Sequence, residues 1–307
     1  MKALITGGAG FIGSTLADAL LEGGDQVAVI DDLSSGSKSN LQAATDRGAE
    51  LTVADVRTAG AVAGLTQDTG VDVIFHLAAQ IDARRAVREP VLDADVNVLG
   101  SIQVLEAARA VGARVVLASS VAVYGEPAEL PLTEKAPCRP MTAYGQSKLS
   151  AEGYVSLYSR LHRLSGIALR LSNVYGARQD ALGEAGVVAI FCDRLRRGER
   201  PVVFGDGLQT RDFVHVDDVV QAMIAAGRSD GAGVHNVGTG SETSVIDLAR
   251  ILEEIAGGSG AGPEVQEARP GDVRRMAVDS ASASSALGWR PAVDLRTGLE
   301  RTYAALE

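Results

Sequence analysis

Apolar positions along the chain follow two periods. Short, nearly continuous apolar runs at Lys2 to Thr6, Gln26 to Ile30, Leu51 to Val53, Val71 to Phe75, Arg114 to Ala118 and Ile167 to Leu171 predict strands covered on both faces. Between them lie stretches with apolar residues three and four apart, such as the one from Gly13 through Leu21 and the alanine-rich Val91 to Val111, which predict helices. Strand and helix alternating at this spacing imply right-handed βαβ crossovers and a parallel sheet with helices on both faces. The expected fold class is α/β, a doubly wound parallel sheet. A later run, Val234 to Val237, reads as one more strand of that sheet. Ser280 to Ser285, between Asp279 and Leu287, predicts a short helix, and Gly257 to Gly262 a flexible loop. No internal repeat is present.

The strand ends carry the chemistry, because ligands of open α/β sheets bind at the carboxyl ends of the strands. Gly7, Gly10 and Gly13 fall between the first strand and the first helix, in G-x-x-G-x-x-G spacing. Glycines there allow the turn, let the backbone approach a pyrophosphate and let helix and strand pack closely, while the helix N-terminus faces the negative charge. Asp31 ends the second strand, 18 residues after Gly13. A carboxylate there can accept hydrogen bonds from both adenosine ribose hydroxyls and repels a 2′-phosphate, which favours NAD over NADP. Asp55-Val56 after the third strand stands equally well as a helix cap or as a contact with adenine. Leu77-Ala78-Ala79 after the fourth offers small side chains where a cofactor backbone can pass. His76 reads as a packed strand residue. Asn97, a poor helix former within Val91 to Val111, is either a polar contact to a strand loop or a surface residue.

Composition narrows the partners. The 307 residues fit one large α/β domain with a smaller lobe, at 46% hydrophobic and 22% charged. The net charge of −10 argues against nucleic acid or an anionic membrane surface as partner. The two cysteines, Cys138 and Cys192, have neither metal-type spacing nor a disulfide framework, so no metal is expected and a reducing cytoplasm is. Met1-Lys2-Ala3-Leu4-Ile5-Thr6-Gly7 resembles a buried strand, not a signal peptide, and no run approaches the ~20 apolar residues of a membrane span.

Tyr144 and Lys148, four residues apart, share one helix face and can point into one cleft. Lowering a phenol from pH ~10 to about 7 requires roughly 4 kcal/mol of preference for the phenolate. An ammonium ~4 Å away at an effective dielectric of ~20 supplies about that, and a cationic nicotinamide adds to it. Ser120, at the end of the fifth strand, can hydrogen-bond a reacting hydroxyl and relay its proton.

With the glycine triplet, Ser120 and Tyr144-x-x-x-Lys148 in order, the chain resembles the extended short-chain dehydrogenase/reductase family and, within it, the UDP-glucose 4-epimerase group. The resemblance runs along essentially the whole chain, through Ile81-Asp82-Ala83-Arg84-Arg85, Ser172 to Asp180, Gly205 to Asp218 and Arg269-Pro270-Gly271-Asp272. It implies that Tyr144 is the base, that Lys148 holds the nicotinamide ribose and lowers the tyrosine pKa, and that Ser120 contacts the sugar O4. Ser120 is preferred over Ser119 by its place four residues before Tyr124. On the same ground Phe11, Ile12, Asp32, Ser35 and Asn97 join Gly7, Gly10, Gly13, Asp31, Asp55, Val56, Leu77, Ala78 and Ala79 as the NAD set. Asn173, Val188, Gln209, Arg211, Arg269 and Asp272 hold the UDP-sugar, with the arginines on its diphosphate. An acidic protein that binds an anionic nucleotide through a few convergent arginines fits the charge argument.

The implied reaction is reversible oxidation at sugar C4 through a 4-keto sugar, with NAD staying bound. Val121 and Ala122 stand where related 4,6-dehydratases carry an Asp-Glu pair, so elimination lacks its acid and base. Aspartate at position 180 disfavours a glucuronate. Met276, either a wall beside the sugar C2 or simple packing, leaves N-acetylated substrates open. A 4-ketoreductase and a silent NAD-bound scaffold are the competing readings. The implied lobes are an NAD domain over 1–171 plus about 213–239 and a substrate lobe over 172–212 and 240–307. A homodimer through the helices carrying Asn97 and Tyr144 is expected.

Overall fold

The computed structural model describes residues 1–180, 186–258, 260–268 and 273–305. In chain order the first part runs β1 (Lys2–Thr6), α1 (Phe11–Glu22), β2 (Gln26–Asp31), α2 (Gln42–Asp46), β3 (Glu50–Val53), α3 (Ala61–Thr69) and β4 (Val73–His76). It continues with α4 (Ala83–Arg88), α5 (Pro90–Ala94), α6 (Gly100–Val111), β5 (Arg114–Ser120), α7 (Ala143–His162) and β6 (Gly166–Leu171). Then come β7 (Asn173–Tyr175), α8 (Val187–Arg196), β8 (Val202–Phe204), β9 (Thr210–Arg211), β10 (Phe213–His215), α9 (Val216–Arg228) and β11 (Gly233–Val237). The chain closes with β12 (Thr243–Ser244), α10 (Val245–Ile255), β13 (Glu264–Gln266), α11 (Ala281–Leu287) and α12 (Leu295–Ala304).

Seven of these strands form one parallel sheet in the order β11-β6-β5-β4-β1-β2-β3. The α/β doubly wound expectation is met. β4 and β6 are buried at every position, as parallel strands between two helical layers must be. On one face, Ile5, Val29, Phe75 and Leu169 pack with α1 and α9 residues such as Leu16 and Val219. On the other, Leu4, Ile74, Val115 and Ala168 pack with α6 and α7 residues such as Val104 and Val155. Strand order reverses between β1 and β4, so the carboxyl ends of these two strands open the crevice where such sheets take ligands. A third core, with Val188, Phe191, Cys192, Leu248, Leu252 and Leu299, gathers α8, α10 and α12. Among the described residues no helix is long and apolar enough to cross a membrane.

Two expectations need correction. The fourth strand starts at Val73, not Val71, because the Asp72 carboxylate takes the Lys2 N–H (2.7 Å) at the point where the ladder would begin. The predicted helix over Val91 to Val111 is interrupted: α5 ends at Ala94, Asp95–Leu99 form a π turn in which Gly100 N–H bonds Asp95 O five residues back, and only then does α6 begin. Asn97 lies within the π turn and Ser101 just after it. The Ser101 hydroxyl donates to Asn97 O (2.6 Å), and the Asn97 side chain turns inward. Π turns of this kind concentrate at functional sites.

Candidate active site

The floor is the turn after β1. Gly7 sits at φ +69°, and a Cβ there would lie 2.6 Å from Ala78 N and 2.8 Å from Ala78 Cα, backbone that cannot swing aside. A Cβ on Gly13 would run into the Gly7 carbonyl. The close approach of this turn to Leu77-Ala78-Ala79 therefore depends on glycine. Gly10 begins α1 with no side-chain cap, so Phe11, Ile12 and Gly13 open a helix whose first N–H groups face outward for an anion.

Asp31 lies at the rim of this turn. Its Oδ2 accepts the Ala9 N–H (2.9 Å) and its Oδ1 the Leu33 N–H (2.8 Å), leaving lone pairs on both oxygens. Burial raises its pKa, against those two bonds, and Asp32 adds to the rise. Asp32 turns to its own loop, accepting from Ser34 N (2.9 Å) and Ser34 Oγ (2.6 Å), and Ser35 beside it is exposed. Asp55 caps no helix: α3 starts at Ala61 with Gly60 before it. Its carboxylate instead accepts the Arg57 N–H (2.8 Å) and guanidinium (Nη2, 2.6 Å), while Arg57 Nη1 reaches Asp95 (2.7 Å). Val56 is buried in the core below.

Strand alternation separates the two serines at the end of β5. Ser119 is buried and its hydroxyl donates to Glu152 on α7. Ser120 points the other way, accepts the Ala122 N–H (3.2 Å) and meets the Tyr144 phenol. Glu152 also receives Arg170 of β6 in a two-pronged pair (2.7 and 3.0 Å), and the guanidinium lies 4.7 Å from the Tyr124 ring centre.

Thr142 caps α7 by accepting the Gly145 N–H (3.1 Å), which sets Tyr144 and Lys148 in the first two turns facing β5. Lys148 is buried and its Nζ donates to Ala118 O (3.0 Å). Burial pulls the ammonium down to about 8, opposed by Asp93 and Glu152. Burial pushes the Tyr144 phenol up to about 12, opposed by its hydrogen bond with Ser120 and reinforced by Asp93. The expected lowering of the tyrosine pKa by the lysine is thus not a property of the protein alone, since desolvation disfavours the charged form of each and the ammonium is directed at a carbonyl.

Asn97 is the polar contact, not the surface residue. Its Oδ1 accepts Gln80 N–H (2.9 Å), and its Nδ2 reaches Gln80 O (3.0 Å), Asp93 Oδ1 (3.1 Å) and Ser147 Oγ (3.0 Å), between Tyr144 and Lys148 on α7. Below it runs a directional chain. Ser101 donates to Asn97 O, so it accepts from His76 Nε2 (2.9 Å), and His76 Nδ1 accepts from Thr6 Oγ1 (2.7 Å), which in turn receives Ala78 N–H (3.2 Å). Burial, with the Lys148 charge, takes His76 down to about 3.

The substrate-side residues are less concentrated. Asn173 opens β7, its N–H on Asp212 O (3.0 Å). Gln209 Nε2 bonds Phe204 O (3.1 Å), and Arg211 Nη1 bonds Thr210 O (2.8 Å). The Val188 side chain is buried in the third core, so any ligand contact falls to its backbone at the uncapped start of α8. Arg269 and Asp272 lie outside the described residues. Met276 is buried with Val121, Tyr124 and Val278. Sequence reasoning missed Gln80, Asp93, Arg57, Glu152 and Arg170; Asp93 lies four before Asn97 and Glu152 four after Lys148, a helical spacing that could have flagged both.

The assembly can hold an anion at the start of α1, ribose hydroxyls at Asp31, and a reacting hydroxyl between Ser120 and Tyr144. Comparison with known proteins gives the family. The profile of the NAD dependent epimerase/dehydratase family matches residues 3–238. The chain is 46% identical to UDP-glucose 4-epimerase of Mycolicibacterium smegmatis, over 98% of this chain and 97% of that protein. It superposes on UDP-glucose 4-epimerase of Thermotoga maritima with UDP-glucose (TM-score 0.95, 40% identity, 100% of this chain and 98% of that one). It also superposes on the Thermus thermophilus UDP-glucose 4-epimerase complex with NAD (TM-score 0.92, 38% identity, 99% and 98%). Glycine turn, acid-tipped second strand and serine–tyrosine–lysine centre thus belong to a member of the NAD-dependent epimerase/dehydratase family, whose cofactor is NAD.

Proposed function

We propose that the protein interconverts UDP-glucose and UDP-galactose at sugar C4. The observation that carries this reading is the convergence of Ser120, at the carboxyl end of β5, with Tyr144 and Lys148 in the first turns of α7 packed on that strand, where the Lys148 ammonium bonds Ala118 O (3.0 Å). Ser120 holds the sugar O4 hydroxyl, and Tyr144 removes and later returns its proton. Bound NAD takes up the C4 hydride and gives it back. Lys148, anchored on Ala118 O, presents its remaining N–H groups to the nicotinamide ribose and Tyr144. Val121 and Ala122 supply no acid or base beside Ser120, so the 4-keto sugar loses no water.

Phe11, Ile12, Gly13 and the uncapped start of α1 take the pyrophosphate; Asp31, with Asp32 and Ser35 nearby, takes the ribose; Leu77, Ala78 and Ala79 line the path between. Residues 1–171 with about 213–239 serve as the NAD domain, and 172–212 with 240–307 as the substrate lobe. In that lobe Asn173, Val188, Gln209, Arg211, Arg269 and Asp272 hold the UDP moiety. A homodimer through α6, the π turn and α7 is part of the proposal, supported by the exposed Leu99 and, on the preceding helices, Val87 and Val91.

Incubation with UDP-galactose tests it. UDP-glucose should form without added NAD; none forming even after NAD is supplied would refute it. Met276, buried behind Val121, leaves UDP-GlcNAc open as a second substrate, to be read as UDP-GalNAc in the same assay.

A further inference from the structure

We propose that Asp93 is a positioning residue of the catalytic centre, clamping the cofactor-side loop to the catalytic helix through Asn97 and keeping a buried negative charge behind that helix. The proposal rests on Tyr144 and Lys148 forming the reacting pair.

Asp93 is 1% exposed and lies on α5, which packs against α7. Its Oδ1 accepts from Gln80 Nε2 (3.0 Å) and Asn97 Nδ2 (3.1 Å). Gln80 is itself closed on Asp82, through Oε1 to Asp82 N–H (2.6 Å) and Nε2 to Asp82 O (2.9 Å). The Asn97 amide has two N–H bonds for three acceptors. The Ser147 hydroxyl donates to Tyr144 O (3.0 Å), so Ser147 Oγ accepts one Asn97 N–H. The other N–H is shared between Gln80 O and Asp93 Oδ1. Asp93 reinforces an orientation that the Gln80 backbone sets: with the carboxylate gone, Asn97 Nδ2 keeps Gln80 O and Ser147 Oγ but loses its charged acceptor, and Gln80 Nε2 keeps only Asp82 O. Ser147 sits between Tyr144 and Lys148, so the clamp reaches the reacting pair through one hydrogen bond.

The second effect is electrostatic. The ionisable groups acting on the pair are Asp93 on Tyr144, and Asp93 and Glu152 on Lys148, with neutral His76 facing Lys148 from β4. A buried carboxylate disfavours a phenolate and favours an ammonium, so Asp93 raises both pKa values. Glu152 is already paired with Arg170, which leaves Asp93 as the carboxylate near the pair without a cationic partner among those named above.

Two variants separate the effects. Asp93→Asn keeps an oxygen to accept from Gln80 and Asn97 but removes the charge; Asp93→Ala removes both. Lys2, Lys38, Lys135 and Lys148 are the only lysines, so lysine labelled with carbon-13 at Cε gives four NMR signals, and loss of one in Lys148→Arg assigns the site. In the protein as purified, Asp93→Asn should lower the Lys148 midpoint by about one pH unit, with thermal midpoint and retained NAD unchanged. Its pH profile for UDP-galactose turnover should move to lower pH by a similar amount. Asp93→Ala should show the same lowering and also lose retained NAD and several degrees of thermal midpoint. An unchanged Lys148 midpoint in Asp93→Asn overturns the electrostatic role, and wild-type NAD content and midpoint temperature in Asp93→Ala overturn the clamp. The NMR titration needs no substrate, so it stands even if UDP-galactose proves not to be turned over.

Discussion

Replacing Gly7 with alanine tests the cradle most directly. The residue lies at φ +69°, where an L side chain costs about 1–2 kcal/mol. The new Cβ would stand 2.6 Å from Ala78 N, 2.8 Å from Ala78 Cα and 2.9 Å from Leu77 C, all backbone of the segment after β4. Forcing extra atoms into such a contact costs roughly 1–3 kcal/mol. The sum, about 2–5 kcal/mol, is a large part of the ~5–15 kcal/mol that holds a domain folded. At roughly 2 °C per kcal/mol for a chain of this size, the thermal midpoint should fall by about 4–10 °C. NAD retained through purification should fall as well, because relief of the clash moves Ala78. Gly64 is the control: it lies inside α3, exposed, with nothing within 4 Å of its would-be Cβ, so Gly64→Ala should stabilise by about 0.5–1 kcal/mol. Circular dichroism melts and absorbance of released NAD read both. If Gly7→Ala melted with the wild type and kept its NAD, the packing argument for the turn would be wrong.

Other outcomes follow from the same geometry. Tyr144→Phe should lower turnover of UDP-galactose by about 10²–10⁴-fold while leaving NAD bound, measured by coupled assay and by absorbance of the denatured protein. Glu152→Gln leaves the buried Arg170 guanidinium without its charge partner and should cost about 3–5 kcal/mol in urea unfolding. His76 carries a pH signature. Its folded pKa is depressed from 6.5 to about 3, so between those values the unfolded chain binds the extra proton and stability falls as pH falls. The slope is about 1.4 kcal/mol per pH unit below pH ~6.5, and His76→Gln should remove that component from a comparison of urea midpoints at pH 7 and pH 5.

The sheet was legible because its strands are buried on both faces, so that Lys2 to Thr6 and Ile167 to Leu171 stand out as apolar runs whatever surrounds them. The glycine turn, Asp31 and Ser120 were legible because backbone sterics and strand ends fix where such residues must lie. Asn97 was not. Its partners, Gln80 and Ser147, are 17 and 50 residues away, and no local pattern announces a π turn that exists to reach them. Asp55 was left open between a cap and an adenine contact for a similar reason: its carboxylate is held by Arg57 two residues on, while the next helix waits until Ala61, which removes the cap. The tyrosine–lysine arithmetic counted the favourable charges of ammonium and nicotinamide and left out desolvation, which dominates at both groups once the cleft is built.

The π turn has a consequence for how the chain can change. Asp93, Asn97, Ser101 and Leu105 form a row spaced by four, and each such step advances an α-helix by about 400°, so an unbroken helix would carry the row round by about 120° from first to last. All four are nonetheless buried, because the wider turn over Asp95–Leu99 takes up the excess rotation. The turn works as a phase corrector between a helix that faces the cleft and one that faces the sheet. Deleting a single residue from 95–99 would let the segment close as ordinary α-helix with Asp93 and α6 nearly in their present relation, and the π turn that presents Asn97 to Gln80 and Ser147 would be lost. In proteins that keep this centre, the segment should therefore hold its length while the loops around it gain and lose residues.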